Sequence, residues 1–275
     1  MTYADFWKPL TTLYDEGEAK AIARLVLEEH FGLTIADMLC GKPVDETELQ
    51  SILRRLLEGE PVQYILGQAT FCGRQFHVEP GVLIPRPETQ GICKFVEKSW
   101  GCSTRKGSLL DIGTGSGCIA CTLALDMAAH VEVTAWDISD EALRIARLNA
   151  DKLGANVRFE KQDALRAPED LERWDAIVSN PPYICLHEKA DMERNVTDFE
   201  PSEALFVPDN DPLLFYRSIA HYAAKALKPN GFLLFEINTR YGAETANLLQ
   251  RTGYCRIQIL KDMFDKDRFV LAYKS

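Results

Sequence analysis

The sequence lacks a long hydrophobic run: no stretch of its 275 residues approaches the roughly 18 uninterrupted apolar residues of a membrane-spanning helix. Its opening residues also lack the basic region and apolar segment that are typical of a secretion signal. We therefore expect a cytoplasmic protein without a membrane partner. In that compartment its eight cysteines are expected to be reduced thiols.

The chain also lacks an excess of basic residues, because 31 Lys and Arg stand against 41 Asp and Glu, a net charge of −10. Proteins that hold nucleic acid through many phosphate contacts carry the opposite sign. Residues 1–79 alone have 13 acidic and 7 basic side chains, a net of −6. The charge argues against a nucleic-acid partner, and we expect a monomer whose partner is a protein.

Metal-binding patterns are scarce. The five histidines show no metal-site spacing, and the C-x-x-C of Cys118 and Cys121 has no second pair nearby. Because both cysteines lie in a predicted helix, we interpret them as small apolar side chains that pack against a sheet, in preference to metal or redox chemistry. We therefore expect no metal.

Residues 1–60 carry helical signals and predict a small helical domain. Leu49, Ile52 and Leu56 recur at the spacing of one helix face, and Asp45 is a candidate N-cap for that helix. An earlier helix is predicted around Ile22 and Val26. Residues 61–88 change to short β-like runs and several prolines and glycines, which predicts a β-hairpin linker.

Residues 89–275 alternate between strand and helix patterns. Such alternation, with strands of the buried type, predicts an α/β domain with a parallel sheet covered on both faces. A short turn joins two final strand-like runs, which makes the last strand antiparallel. The predicted strands are Ser108–Ile112, Val131–Trp136, Val157–Glu160, Trp174–Ser179, Phe232–Ile237, Cys255–Leu260 and Arg268–Ala272.

A glycine-rich turn follows the first of these strands and opens a helix, which is where a doubly wound sheet receives a nucleotide-like ligand. Its G-x-G-x-G spacing and the acidic residue before it depart from the dinucleotide pattern and suit S-adenosylmethionine, whose amino-acid end carries an ammonium group and a carboxylate. A tight turn without any ligand is the alternative. The residues are Asp111, Gly113, Thr114, Gly115, Ser116 and Gly117.

Two further strand ends supply candidate ligand contacts. Asp137 closes the second strand, where a carboxylate can accept both hydroxyl hydrogens of a ribose. Asp163 follows the third strand and is a weaker candidate for the adenine amino group, with Ala164 beside the ring. Neighbouring Trp136 is expected to pack in the core.

The strongest local signal is Asn180-Pro181-Pro182-Tyr183, directly after a predicted strand. Two prolines fix a rigid backbone, so the Asn180 side-chain oxygen and the Pro181 carbonyl can each accept one N–H of a planar NH2 group. Tyr183 can lie against the flat face of that group. This arrangement predicts methyl transfer to an amide or arylamine nitrogen, with positioning as the main contribution to rate.

Together these motifs resemble the HemK-type protein-(glutamine-N5) methyltransferases that modify peptide chain release factors. The likeness covers most of the chain, and its most specific part is Leu83–Thr89, which nucleic-acid methyltransferases with the Asn-Pro-Pro-Tyr motif lack. Three positions depart from the family pattern: Gln90, Asn238 and the Asp209–Asp211 turn. The motifs are Pro61–Gly67, Phe71-x-Gly73, Phe76-x-Val78, Val82–Thr89, Asp111–Gly117, Asn180–Tyr183 and Phe199–Leu205.

The resemblance implies a seven-stranded Rossmann-like class I methyltransferase sheet with an N-terminal helical substrate-recognition domain. It implies that Asn180–Tyr183 hold the glutamine amide of a Gly-Gly-Gln motif. The methyl donor is then held by Gly113–Gly117, Asp137 and Asn180. The residues that line the substrate approach are Arg86, Pro87, Glu88 and Thr89.

Other functions stay open at this point. A ribosomal-protein glutamine is a close alternative substrate, and an exocyclic amino group of DNA or RNA is a more distant one. A module that binds the ligand without reacting is a third possibility.

Overall fold

The computed structural model describes residues 1–40, 42, 44–100 and 106–275. The chain forms two compact units, of which the first joins Met1–Gln68 with Met192–Phe199. The second joins Ala69–Asp191 with Glu200–Ser275. Among the described helices, none has both the length and the apolar character required to cross a membrane.

Helices and strands account for most of the described residues. The helices are α1 (Tyr3–Leu10), α2 (Glu16–Glu29), α3 (Ile35–Leu39), α4 (Glu46–Leu57), α5 (Val62–Leu66), α6 (Gln90–Trp100), α7 (Cys118–Asp126), α8 (Asp140–Leu153), α9 (Arg194–Phe199), α10 (Leu214–Ala226) and α11 (Gly242–Thr252). The strands are β1 (Gln68–Phe71), β2 (Arg74–His77), β3 (Gly107–Ile112), β4 (Val131–Asp137), β5 (Val157–Lys161), β6 (Trp174–Ser179), β7 (Ile184–Cys185), β8 (Phe206–Val207), β9 (Leu227–Glu236), β10 (Tyr254–Lys261) and β11 (Asp267–Lys274).

The first unit is helical, as predicted, and its helices begin at side-chain caps. Asp45 accepts hydrogen bonds from the backbone N–H groups of Thr47 and Glu48, each at 3.0 Å, and so starts α4 where the sequence indicates. Asp15 caps α2 in the same way through Glu18. The apolar faces of α1, α2 and α4 meet in one hydrophobic core.

The predictions missed several short elements. Helices α1, α3, α5 and α6 were not expected; the first three are too short for a clear apolar period to show, whereas α6 has 11 residues. No element was predicted between β6 and α10, where the structure has a 3-10 segment at Leu186–Asp191 and helix α9 among others. An i,i+4 ion pair between Arg194 and Asp198 supports α9.

The second unit contains a two-stranded β1–β2 sheet and, among its described residues, a sheet of seven strands in the order β10-β11-β9-β6-β3-β4-β5. The five strands from β9 to β5 run parallel to one another. Strand β11 is antiparallel to both β9 and β10, as the short turn before it predicts. The predicted α/β fold with a seven-stranded sheet is confirmed.

Hydrophobic cores cover both faces of this sheet. Successive side chains of a strand point to opposite faces, so Leu109 of β3 belongs to one core and Leu110 to the other. Val178 of β6 and Leu234 of β9 join the first core in the same alternation. With both faces buried, the strand ends are the parts of the sheet that can meet a ligand.

Candidate active site

Three neighbouring parallel strands end side by side at the carboxyl edge of the sheet. Ile112 of β3 is in register with Ser179 of β6, and Ser179 is in register with Phe235 of β9. The Ser179 hydroxyl donates to the Ile112 carbonyl at 2.7 Å and ties the first two ends together. The next residues along the three strands are Gly113, Asn180 and Glu236. From β3 the chain adds strands β4 and β5 on one side of the sheet and then β6 and β9 on the other. Ligands of open α/β sheets usually bind beside such a switch point, here between β3 and β6.

The glycine loop after β3 is held by backbone hydrogen bonds. The N–H groups of Gly113 and Thr114 both donate to the Trp136 carbonyl at 2.9 Å. Gly115 and Gly117 have φ angles of 54° and 79°, a region that favours glycine. A Cβ at position 117 would lie 3.1 Å from the Cβ of Ala146, so this glycine also permits close packing with α8. The backbone conformation of the loop therefore itself requires glycine at positions 115 and 117.

Asp137 at the end of β4 is fixed by the same loop. Its Oδ2 accepts from Gly115 N–H at 2.9 Å, and its Oδ1 accepts from Ser139 N–H at 3.0 Å. Burial raises the pKa of this carboxyl, and the backbone hydrogen bonds oppose that rise. Each oxygen keeps a second lone pair with which it can accept from a ligand hydroxyl.

Asp111 lies beneath the loop and is fully buried. Its Oδ2 accepts from the Thr114 hydroxyl at 2.7 Å, whereas Oδ1 has no hydrogen-bond partner within the described part of the chain. Burial raises the pKa of Asp111 to about 7. The Ser116 hydroxyl is a second buried polar group left without a partner among the same residues. Unsatisfied buried groups of this kind are costly to a fold unless they meet a ligand.

A cavity of about 310 Å³ lies over these strand ends. Asp111 and Gly117 do not line it, since the first lies below the loop and the second starts α7. Asp163 lines it and is held by a hydrogen bond from Leu165 N–H at 2.8 Å. The predicted donor-binding residues on its wall are Gly113, Thr114, Gly115, Ser116, Asp137, Asp163, Ala164 and Asn180.

Asn180, Pro181 and Pro182 line the same cavity from the end of β6. The side-chain Nδ2 of Asn180 donates to the Thr89 hydroxyl oxygen at 3.4 Å. This orientation leaves Asn180 Oδ1 free to accept a hydrogen bond from a ligand. Sequence reasoning named both residues, Thr89 as part of the substrate approach, but it did not predict that Thr89 orients Asn180, 91 positions later in the chain.

Tyr183 does not line this cavity. Its hydroxyl donates to Glu236 Oε1 at 3.2 Å, and its carbonyl accepts from Asn238 Nδ2 at 3.2 Å. Burial and the nearby Glu236 charge raise the pKa of Tyr183, so it stays a neutral donor. Asn238, one of the departures from the family pattern, thus fastens the end of the motif. The expected contact between Tyr183 and a substrate amide stays a prediction.

The predicted approach segment contributes two of its four residues to the cavity wall: Arg86 and Thr89 line it, and Pro87 and Glu88 do not. A buried carboxylate that the sequence analysis gave no role holds this segment. Glu200 accepts from Ile84 N–H at 3.1 Å and pairs with the Arg86 guanidinium at 2.5 Å. The one sign of Glu200 in the sequence was its position directly before Pro201 in the family motif Phe199–Leu205.

Glu236 is the second missed residue. It ends β9, is 1% exposed, and burial raises its pKa to about 7. The Thr89 hydroxyl, the Arg268 charge and Tyr183 each lower that pKa, in that order. An acidic residue directly after the apolar run Phe232–Phe235 was the sign of it in the sequence.

The cysteines and histidines give little support to metal chemistry. Cys118 and Cys121 are buried, and burial raises the pKa of Cys121 to about 12, as expected for inert thiols. The seven cysteines within the described residues are free, and Cys102 lies outside them. Cys185, His187 and Asp209 bring one potential ligand atom each within 4.8 Å of one another, although His187 Nδ1 is already 2.8 Å from Asp209 Oδ1. The expected absence of a metal stays a prediction.

Known proteins match this chain over nearly its full length. A relative from Bacteroides thetaiotaomicron named release factor glutamine methyltransferase is 45% identical over 96% of this chain and 95% of its own. The chain belongs to the release factor glutamine methyltransferase family. A Bacillus subtilis member is 39% identical over 94% of this chain and 93% of its own. The family resemblance expected from the motifs is confirmed.

Two family descriptions match separate parts of the chain. The PrmC N-terminal domain matches residues 11–67, and the methyltransferase small domain matches residues 94–199. A methyltransferase structure from Pyrococcus furiosus shares the fold, with a TM-score of 0.54 at 18% identity over 82% of this chain and 99% of that one. The sheet is therefore a methyltransferase fold.

Proposed function

We propose that this chain transfers a methyl group from S-adenosylmethionine to the side-chain amide of a glutamine in a peptide chain release factor. Family membership supports the substrate class, and one observation supports the chemistry. Asn180 and Pro181 border the same cavity as the glycine loop, and the bond from Asn180 Nδ2 to Thr89 leaves Oδ1 free to accept. A hydrogen-bond acceptor for an amide and a site for a methyl donor therefore share one space.

The buried polar groups fit the methyl donor. Its ammonium group would lie above Asp111, whose buried carboxyl favours a cation through its charge, although Asp111 does not line the cavity. Its ribose hydroxyls match the remaining lone pairs of Asp137, and its adenine matches Asp163 and Ala164. Gly113–Gly117 would give the donor room beside the backbone. When bound, the donor supplies an electrophilic methyl group on sulfur.

In the proposed reaction the amide nitrogen attacks the methyl carbon, a C–N bond forms and the C–S bond breaks. An amide nitrogen is a poor nucleophile because its lone pair is delocalised. Hydrogen bonds from its two N–H groups to Asn180 Oδ1 and the Pro181 carbonyl favour a pyramidal nitrogen whose lone pair faces the methyl group. One N–H proton then passes to solvent, and S-adenosylhomocysteine remains. Positioning of this type can lower a barrier by about 7–11 kcal/mol.

We assign recognition to two regions. The helical residues 1–60 would contact the release factor, and residues 61–88 would connect them to the methyltransferase domain of residues 89–275. Arg86–Thr89 would line the path of the Gly-Gly-Gln loop. Glu200 supports that assignment, because it fastens Ile84 and Arg86 beside the cavity. Tyr183 would complete the site against the amide face.

The test is to incubate the purified chain with S-adenosylmethionine and an unmethylated release factor, then map the added methyl by peptide mass spectrometry. We expect one methyl group on the Gly-Gly-Gln glutamine. A release factor with Asn in place of that Gln should stay unmodified, because its amide is one methylene too short to reach the same position. Equal labelling of the two would refute the proposal. Transfer only to ribosomal proteins or to nucleic acid would move the assignment to those alternatives.

A further inference from the structure

Glu236 occupies a position in the sheet that the chemistry of the site has not yet used. It follows Phe235, the register partner of Ser179, just as Asn180 follows Ser179 on the adjacent strand. The two side chains therefore emerge from neighbouring strand ends. The third residue of the group, Thr89, is 3% exposed and hydrogen-bonds to Asn180.

Burial of the Glu236 carboxylate at this position costs folding free energy. Its side chain is buried, and its Oε2 atom has no hydrogen-bond partner among the described residues. Within the same residues, no lysine or arginine makes an ion pair with it, and nearby Arg268 is paired with Asp262 at 3.0 Å. A buried carboxylate with these surroundings does not stabilise a fold. Its contacts with Tyr183 and Thr89 are both to residues beside the acceptor site.

The direction of the hydrogen bonds gives the carboxylate a specific role. Asn180 Nδ2 donates to Thr89, so the Thr89 hydroxyl hydrogen points to another acceptor. Glu236 fits that role, because a hydrogen bond from the Thr89 hydroxyl is among the causes that lower the pKa of Glu236, and Tyr183 fixes the same carboxyl at 3.2 Å. In its ionised form the Glu236 carboxylate can only accept, and this form sets the order Asn180 to Thr89 to Glu236. The same carboxylate accepts from Tyr183.

We propose that Glu236 is a positioning residue that orients the Asn180 amide through Thr89 and the Tyr183 ring directly. With Glu236 as acceptor, Asn180 presents its oxygen to the N–H groups of the substrate amide. The inference rests on the proposed function, since the orientation matters only if an amide nitrogen is the methyl acceptor. Glu236 itself touches neither the substrate nor the methyl donor in this scheme.

The near-isosteric change Glu236→Gln tests the proposal. The new amide group can donate to Thr89, whose hydroxyl can then donate to Asn180, and the Asn180 amide rotates to present N–H to the substrate. We expect kcat for release-factor methylation to fall by roughly 10- to 100-fold, a loss typical of a misplaced reacting group. The KM for the release factor and the dissociation constant for S-adenosylmethionine should change less than about threefold, because the other contacts remain.

A matched control is Glu200→Gln, the same change at the other buried glutamate. Glu200 contacts Ile84 and Arg86 instead of Thr89, so its loss should act mainly on the KM for the release factor. A double-mutant cycle with Thr89→Val adds a second readout. Because both residues act through one chain of hydrogen bonds, Glu236→Gln should lower kcat little further in a protein that already carries Thr89→Val. Full additivity of the two losses, or an unchanged kcat in Glu236→Gln, would overturn the proposal.

A structural readout separates this inference from the proposed function. In crystals of Glu236→Ala with S-adenosylhomocysteine, we expect the Tyr183 ring and the Asn180 side chain to leave their wild-type positions. If both keep those positions, the inference fails, whatever the substrate is. If the wild-type chain does not methylate a release factor but the side chains move, the proposed substrate fails and the positioning role stands.

Discussion

Two neighbouring regions beside the cavity are built from different groups, and we name them by the ligands that we propose for them. The donor half, residues 111–117 with Asp137, Asp163 and Ala164, is organised by backbone: glycines at positive φ, and carboxylates that accept from backbone N–H groups. The acceptor half, residues 86–89 and 180–183, is organised by side chains from distant segments. Glu200 fastens residues 84 and 86, and Thr89 and Glu236 contact Asn180 and Tyr183.

This difference shows where specificity in such a sheet is set. The donor half consists mostly of short stretches that directly follow strands, so one strand-turn-helix sequence carries most of its geometry. The acceptor half needs the sheet register to bring together residues separated by 53 to 114 positions. The proposed cofactor contacts are therefore local in the sequence, and the proposed substrate contacts depend on the whole fold.

The largest effect is expected when the acceptor half loses its central group. Asn180→Ala removes an acceptor that the transition state needs, and we expect kcat to fall by about 10²- to 10³-fold, in line with the loss of other preorganised hydrogen bonds. Isothermal titration should show a much smaller change in S-adenosylmethionine affinity. Asn247→Ala, at an exposed position on α11, is the control. Equal losses in kcat and donor affinity would contradict the division into two halves.

A smaller effect is expected from a change in the donor half. Gly115→Ala meets open space but places a side chain on a residue with φ of 54°, which costs about 1–2 kcal/mol. If donor binding depends on this backbone conformation, the affinity for S-adenosylmethionine should fall roughly 5- to 30-fold by titration calorimetry. Gly154→Ala has similar strain, with φ of 71° at the end of α8 outside the cavity, and should lose stability but not affinity.

The smallest effect concerns a property that the two halves share. Asp111 and Glu236 both have a pKa raised to about 7 by burial, so the folded chain keeps protons that the unfolded chain releases near pH 4 to 5. The contribution of these two protonated carboxyls to the free energy of unfolding is present at low pH and is lost as pH rises towards 7. Each group should contribute a decline of about 1 kcal/mol between pH 6 and pH 7.

Urea unfolding of Asp111→Asn and Glu236→Gln between pH 5 and pH 8 measures these contributions separately. Each variant should flatten the decline by a similar amount. If only one of them does, the two halves differ in electrostatics as well as in construction. An unchanged slope in both would show that neither carboxyl titrates in this range.

The sequence predicted which strand ends face the cavity, because each group of the donor half directly follows a strand with a clear apolar pattern; the contact of these groups with a methyl donor stays a prediction. It also predicted Asn180–Pro182 on the cavity wall. It did not predict the supports of the acceptor half, since nothing near Glu200 or Glu236 indicates which distant backbone or hydroxyl group each will meet. Gly117 and Asp111, also predicted for the donor site, do not line the cavity, and the spacing of the motif alone does not show which of its residues are covered.

The short elements were missed for a different reason. Helices α3, α5 and α9 have five or six residues, fewer than two turns, so no apolar period could reveal them. Tertiary packing and local ion pairs stabilise such segments, and those are properties of the folded chain. The predicted strands of the seven-stranded sheet, by contrast, match the observed ones to within two residues at each end, apart from β9, which begins five residues earlier. Helix α6 was not predicted, although it has 11 residues.

The first unit includes Met192–Phe199, which lie far along the chain from Met1–Gln68. During synthesis the ribosome must therefore produce nearly three quarters of the 275 residues before this unit has all of its parts. A fragment that stops at residue 68 would lack α9. Nascent chains of this protein thus complete their N-terminal unit only after most of the sheet-forming segments have been made.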